Sequence, residues 1–275
     1  MLHDKITEIF FVTDNFCNEF KNEYSKLSTP KLQGNKDTRN RAASMCDSEI
    51  ITLLIAFHSG QFRNFKHFYT EYVCVHLKND FPGLVSYNRF IELSHRHALV
   101  FMLFIQYARK GTCTGISFID STVLRVCHNK RIKRNKVFKG VAEVGKSTMG
   151  WFFGFKLHLI INDKGEILSF YLTKGNTDDR DVKTITEMTM EIFGKLFGDK
   201  GYISKALSDL LFGNLKNICQ VEHTRHRSIS GFLLNIMGAI AAYSFFPKKP
   251  SIKNDVKETN PKLLTQFLSQ LQLAA

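Results

Sequence analysis

The stretch GISFIDSTVLRVC (residues 115–127) begins with strand-forming residues and then places an acid, Asp120. A second stretch, LFGDKGYIS (residues 196–204), repeats this arrangement with Asp199. Each stretch predicts a buried strand that ends at its carboxylate. Because α/β proteins usually carry their chemistry at strand ends, the two acids predict a shared site.

The segment between the two acids has the pattern of a hairpin followed by a helix. Apolar residues alternate in GWFFGFKLHLIIND, Gly165 supplies a turn, and a second strand follows, which predicts a β-hairpin over residues 151–173. The next stretch begins with capping acids, Asp178, Asp179 and Asp181, and continues with helical periodicity. The order strand, hairpin, helix and strand predicts the α/β (α+β) class.

The sequences on either side of this predicted α/β segment have different patterns. Residues 1–112 are predicted to be helical, and residues 247–275 form a polar tail. The N-terminal helices carry basic side chains, so they could form a helix-turn-helix-like DNA-binding motif or an ordinary helical bundle. The sequence favours neither. The predicted domain between them spans residues 113–246.

The composition indicates a polyanionic partner. The chain has 275 residues, with 38 Lys and Arg against 25 Asp and Glu, and a formal net charge of +13. This excess suits nucleic acid or an anionic membrane, although a basic soluble protein can lack such a partner.

Residues 232–246 are apolar but shorter than the roughly 20 residues of a membrane span, so they predict a buried helix. The six cysteines show neither C-x-x-C nor zinc-finger spacing, which indicates a reducing compartment.

Basic residues are concentrated in KRIKRNKVFKG (residues 130–140), where six of eleven residues are basic and none is acidic. This composition predicts an arm that contacts phosphates, although a solvated loop would look the same. A second basic group lies in HTRHRS (residues 223–228), whose histidines lack a third zinc ligand and are expected to contact phosphates or cap the next helix. The predicted DNA-contacting residues are Lys130, Arg131, Lys133, Arg134, Lys136, Lys139, Arg225 and Arg227.

The pair of acids predicts a metal site. Two carboxylates brought together repel each other, and they stay ionised at low cost only when a cation lies between them. Oxygen ligands favour Mg²⁺ or Mn²⁺. Such ions can activate a water or a 3′-hydroxyl and stabilise the leaving oxygen of a phosphodiester. Asp120 and Asp199 are therefore predicted to be catalytic metal ligands.

A set of motifs follows in order along the chain: SFIDST, WFFGFKLHLI, KGNTDDRDV, GDKGYIS, and HTRHRS with NIMGAIAAYSFF. This set resembles the DDE transposases of bacterial insertion sequences, closest to the nine-eighty-two insertion-sequence family, over about residues 1–250. The resemblance implies an RNase H-like mixed-sheet catalytic domain behind a helical N-terminal region. It also implies Mg²⁺-dependent DNA nicking and strand transfer at terminal inverted repeats, with Asp120 as the first acid of the triad and Asp199 as the second.

The sequence departs from that family at the third acid, a Glu on a late helix after a further strand and a basic loop. Here SDLLFGN runs directly into LKNICQVEHTRHRS, which predicts an internal deletion near residues 213–215. Only Asp209, Glu222 and acids beyond residue 250 follow Asp199, and neither of the two matches the motif. Either could substitute as third ligand. Otherwise a ligand is lost, the second ion is weakly held, and cleavage is impaired.

The sequence leaves two classes of function open. The first is a transposase that cleaves and transfers DNA strands at the ends of its element. The second is a DNA-binding protein without catalysis that competes for those ends. A basic membrane-associated protein and a metal-dependent nuclease unrelated to transposition are further alternatives. We expect DNA as the partner, no membrane association, a homo-oligomer on DNA and a cytoplasmic location.

Overall fold

The computed structural model describes residues 2–27, 44–60, 62–198, 211–219, 226–247 and 249. The chain divides into two compact units. The helical unit comprises Met1–Arg109 with Ile218–Phe245, and the sheet unit comprises Lys110–Asn217 with Phe246–Ala275. The predicted α/β class, with a helical N-terminal region before a mixed sheet, is confirmed and is consistent with an RNase H-like DDE domain.

The helical unit is built around α2, which is buried along almost its whole length and packs against α1 and the last described helix, α8. A capping box starts α2, because the Glu49 side chain accepts a hydrogen bond from the Cys46 backbone N–H at 2.7 Å. The described helices of this unit are α1 (Leu2–Leu27), α2 (Asp47–Ser59), α3 (Phe65–His67), a π-helical turn (Phe68–Val73), α4 (Cys74–His76), α5 (Tyr87–Arg96), α6 (Ala98–Ala108) and α8 (Ile229–Ser244).

Helix α8 contains most of the apolar segment that the sequence predicts to be buried, and nine of its residues are buried. None of the described helices is both long and apolar enough to cross a membrane. Gly238 allows the close approach of α2, since a Cβ atom there would lie 2.6 Å from the His58 ring. The predicted domain 113–246 included this segment, whereas it packs here with the N-terminal helices. The functional domain boundaries remain a prediction.

The sheet unit contains five strands in the order β2–β3–β1–β5, with β4 also paired to β3. Strand β1 is antiparallel to β3 and parallel to β5, so the sheet is mixed. The strands are β1 (Ile116–Cys127), β2 (Glu143–Ser147), β3 (Gly150–Asn162), β4 (Ile167–Lys174) and β5 (Lys195–Phe197), and helix α7 (Val182–Thr189) lies between β4 and β5.

The predicted hairpin is confirmed as β3 and β4. Its turn is held by the buried Asn162, whose side-chain oxygen accepts hydrogen bonds from the backbone N–H groups of Lys164 and Glu166. Gly165 takes a φ of +72°, which an L side chain rarely adopts. Met188 of α7 packs against Ile160 and Leu168 and covers one face of the sheet.

Candidate active site and nucleic-acid interface

Asp120 lies within β1 and not at its end. The strand continues to Cys127, so the prediction that it ends at the carboxylate was wrong. The reason is local and tertiary together: STVLRVC is rich in β-branched residues, and it pairs with β3 as far as Phe153. The acid is therefore held on a central strand of the sheet, which fixes its backbone more firmly than a loop would.

The Asp120 side chain is half-buried on the strand face that also carries Phe118 and Leu124, both buried. Its Oδ1 accepts a hydrogen bond from the backbone N–H of Ser121 at 2.7 Å. The cross-strand partner of Asp120 on β3 is Leu159, which is also buried. Asp120 therefore shares its strand face with buried apolar side chains.

Strand β5 pairs in parallel with residues 116–118 of β1, just before Asp120, and leads to the second predicted acid. Phe118 pairs with Phe197, and their rings stack with centroids 5.6 Å apart. Strand β5 ends at Phe197, and Gly198 is the last described residue before residue 211. Asp199 and the other predicted residues Asp209, Glu222 and Arg225 lie outside the described residues.

The opposite face of β1 carries a polar network that the sequence did not reveal. The Ser121 hydroxyl donates to Asp179 Oδ1 at 2.8 Å, and Lys156 Nζ lies 3.1 Å from the same oxygen. Lys156 also donates to the backbone carbonyl of Thr177 at 2.8 Å. Only 8% of Lys156 is exposed, so this lysine is a buried, paired cation and not a surface one. The available signal was a lysine within the apolar run of β3.

His158 extends this network along β3. It is buried, and its Nε2 lies 2.8 Å from the hydroxyl of Thr173. Burial lowers the pKa of His158 below its ordinary value, while the Asp179 carboxylate opposes that shift. We refer to Ser121, Lys156, His158, Thr173 and Asp179 as the Lys156 network.

The acids before α7 have separate roles. Asp181 is the N-cap, and its carboxylate accepts the backbone N–H of Thr184 at 2.9 Å, as the sequence predicted for this turn. Asp178 accepts the backbone N–H of Arg180 at 2.9 Å. Asp179 instead pairs with the sheet. These three acids therefore stabilise the local fold.

Among the described residues, no group of three or more His, Cys, Asp and Glu side chains is placed to hold a metal ion. The carboxylate of Asp120 is the type of oxygen donor that Mg²⁺ and Mn²⁺ prefer. The described part of the chain therefore supplies one acid of the predicted metal site, and the residues expected to complete it lie outside that part.

The segment 130–140, here called the basic segment, has all six of its Lys and Arg side chains exposed. It begins within a 3-10 helix, Asn129–Arg134, which the His128 side chain caps. Phe138 is buried and packs against Phe155 with ring centroids 6.0 Å apart, which anchors the segment to β3. None of the six cations forms an ion pair within the described residues.

The second predicted basic group is only partly described. Arg227 is exposed, in agreement with a surface role. His226 is mostly buried, packs against Phe232 with ring centroids 6.0 Å apart, and has its pKa lowered to about 4 by burial. It was expected to contact phosphates or cap the next helix, but its ring nitrogen Nε2 is buried and Ser228 caps α8 instead.

One family model matches part of this chain. Residues 110–214 match the family model described as a transposase DDE domain. The match lies inside the sheet unit and includes both Asp120 and Asp199. It supports a transposase function. No curated protein and no solved structure matches the chain.

Proposed function

We propose that this protein, whose sheet unit matches the transposase DDE domain, is the transposase of a bacterial insertion sequence, closest to the nine-eighty-two insertion-sequence family. In this proposal it binds the terminal inverted repeats of its element and works on DNA in the bacterial cytoplasm as a homo-oligomer. DNA cleavage and strand transfer require a divalent metal held by Asp120 and Asp199.

The observation that carries the proposal is the register of β1 and β5. Phe118 pairs with Phe197 in parallel, and each acid follows its phenylalanine by two residues. Two residues along parallel strands return to the same face of the sheet. The register of the described pairs therefore supports the proposal that Asp120 and Asp199 meet on one face of the sheet.

The two carboxylates would hold Mg²⁺ or Mn²⁺, and the ion supplies a Lewis acid for phosphodiester chemistry. The chain's own contribution is positioning. Asp120 is held by its place in β1 and by the hydrogen bond from the Ser121 N–H, and buried apolar side chains share its strand face. The exposed cations of the basic segment would bind the DNA phosphates.

The DNA-cleavage activity of this chain depends on whether it has a third acidic metal ligand. The family match ends at residue 214, close to the deletion predicted near residues 213–215. At the same place, helical residues 211–213 continue into a π-helix, Asn214–Ile218. The division of the chain also changes there, from the sheet unit to the helical unit after Asn217. These three coincidences support a deletion at this point.

A second function follows from that deletion. Beyond Asp199 the sequence offers only Asp209, Glu222 and acids after residue 250, none at the position of the family's Glu. A chain without the third ligand would still bind the element ends and compete with an active transposase. We propose this competitor as the second candidate.

The test is a cleavage and strand-transfer assay on DNA that carries the element's ends, with Mg²⁺ or Mn²⁺. The variants are Asp120→Asn and Asp199→Asn, with Asp178→Asn as a matched control on an exposed acid of the same unit. A transposase loses activity in the first two and keeps it in the control. Asp209→Asn and Glu222→Gln then identify the third ligand.

The other results are equally informative. An inactive wild type that binds inverted-repeat ends more tightly than unrelated duplex supports the competitor. Cleavage without preference for inverted repeats would instead indicate a nuclease unrelated to transposition. Activity that survives Asp120→Asn would refute the proposed catalytic site.

A further inference from the structure

The turn between β2 and β3 exposes large apolar side chains beside the basic segment. Met149 in the turn is 86% exposed, and Trp151, the second residue of β3, is 61% exposed. Val144 on β2 is also exposed. Trp151 is the only tryptophan of the chain. An exposed Trp gives up the large free-energy gain of burial. Its place beside the β2–β3 turn, here called the hairpin tip, therefore indicates a binding partner.

The hairpin tip is joined to the basic segment. The Asn129 side-chain amide, at the start of the 3-10 helix, donates to the backbone carbonyl of Trp151 at 2.8 Å. Lys146 pairs with Trp151 across the two strands, and its Nζ lies 5.8 Å from the ring centroid. An aromatic ring and several cations are therefore held by one backbone framework.

The exposed aromatic and basic side chains together indicate which class of partner binds here. Residues 128–142 contain no acid, and the cations around the tip are exposed, so the partner is polyanionic. An aromatic face next to cations binds nucleobases by stacking while the cations hold the phosphates. Apolar side chains such as Met149 can also insert between base steps.

We propose that Trp151 stacks on an unpaired DNA base while the basic segment holds the flanking phosphates. The hairpin tip then distinguishes single-stranded or locally opened DNA from intact duplex. This inference rests on the proposed function only in taking DNA as the ligand. Neither the metal nor the acids of the catalytic site take part in it.

The single Trp makes the experiment direct. Fluorescence of the full chain, in EDTA so that no cleavage occurs, is titrated with a single-stranded thymidine oligonucleotide and with a blunt duplex of equal length. With selective excitation of tryptophan the signal comes from Trp151 alone, so stacking quenches it on the single strand and much less on the duplex.

Variants separate stacking from charge in an anisotropy assay with labelled DNA. Trp151→Ala weakens single-strand binding by roughly tenfold and leaves duplex binding unchanged, whereas Trp151→Phe restores most of the loss because it keeps an aromatic face. Met190→Ala, which removes another highly exposed apolar side chain of the sheet unit, serves as the control. Thermal melting confirms that each variant is folded.

Three results would overturn the inference. They are unchanged fluorescence on a bound single strand, equal quenching by both DNA forms, and an equal loss of affinity for both forms in Trp151→Ala. Failure here is separable from failure of the proposed function. Inverted-repeat cleavage without Trp quenching removes only the stacking role, and quenching without cleavage leaves it intact.

Discussion

Two groups of cations in the sheet unit have opposite environments. Lys156 on β3 is buried, donates to the Thr177 carbonyl and lies 3.1 Å from an Asp179 oxygen. The six cations of the basic segment are exposed and form no ion pair within the described residues. Lys156 lies within a strand of the sheet, and the basic segment lies between strands β1 and β2 of the same sheet.

Burial and pairing distinguish a cation that stabilises the fold from a cation that is available to bind a ligand. A buried cation must be neutralised by its own protein, because removing it from water is costly. Exposed cations without partners keep their hydration at little cost and remain available to a polyanion. The basic segment is therefore expected to govern DNA affinity, and the Lys156 network is expected to govern stability.

The largest expected effect is the loss of DNA affinity when the basic segment is neutralised. The variant carries Lys130→Gln, Lys133→Gln and Lys136→Gln. If all three contact phosphates, the slope of log K against log salt falls by about 3, and affinity falls roughly a hundredfold at physiological salt. Filter binding or anisotropy over a series of salt concentrations measures both quantities.

The matched control removes the same charge elsewhere in the sheet unit, by changing the exposed Lys164, Lys183 and Lys195 to Gln. It is expected to leave the salt slope almost unchanged. Equal losses in the two triple variants would mean that net charge alone attracts DNA. In that case the basic segment would not be an interface.

The sequence predicted the local parts of this comparison and missed the tertiary ones. The density of basic residues, the β3–β4 turn at Gly165 and the cap at Asp181 are set by nearby residues, and all three were found. The Lys156–Asp179 pair joins a strand to the turn before α7, so no periodicity could indicate it.

Two other features needed tertiary information. The strand of Asp120 runs on to Cys127 because β3 pairs with it, although the sequence placed the end at the acid. Helix α8 was predicted to be buried, but its apolar pattern did not say against what, and it packs on α2. Sequence patterns indicate burial, whereas the partner depends on the whole chain.

A smaller effect, now on stability, is expected for Lys156→Met. Methionine keeps the apolar length of the side chain but removes the charge, so Asp179 loses its cation and the Thr177 carbonyl loses a donor. Breaking a fully buried pair costs about 3–5 kcal/mol, but Asp179 is 56% exposed and can be hydrated. We expect a loss of about 2 kcal/mol in the free energy of unfolding, measured by urea denaturation.

The control for this change is Lys183→Met, where the lysine side chain is 81% exposed and its ion pair with Glu187 is long, at 4.0 Å. Its effect is expected to stay within about 0.5 kcal/mol. The comparison would break if Lys156→Met left stability unchanged and altered the salt slope of DNA binding, because Lys156 would then act on the ligand.

The smallest effect on stability is expected at His158. Burial lowers the pKa of this histidine, and the Asp179 carboxylate partly opposes that shift. A lowered folded-state pKa means that the unfolded chain binds the proton first, so stability is full above the unfolded value of about 6.5 and falls as the pH drops below it. His158→Gln should therefore flatten the acid side of the pH–stability profile slightly. His58→Gln should flatten it more, because burial, with a smaller contribution from His226, lowers the pKa of His58 to about 4 although the hydrogen bond to the Cys219 carbonyl opposes the shift. Urea denaturation of the wild type and both variants between pH 7 and pH 4 measures the difference. A larger effect at His158 than at His58 would mean that the carboxylate of Asp179 does not act on His158, and the Lys156 network would then be less tightly coupled than its distances indicate.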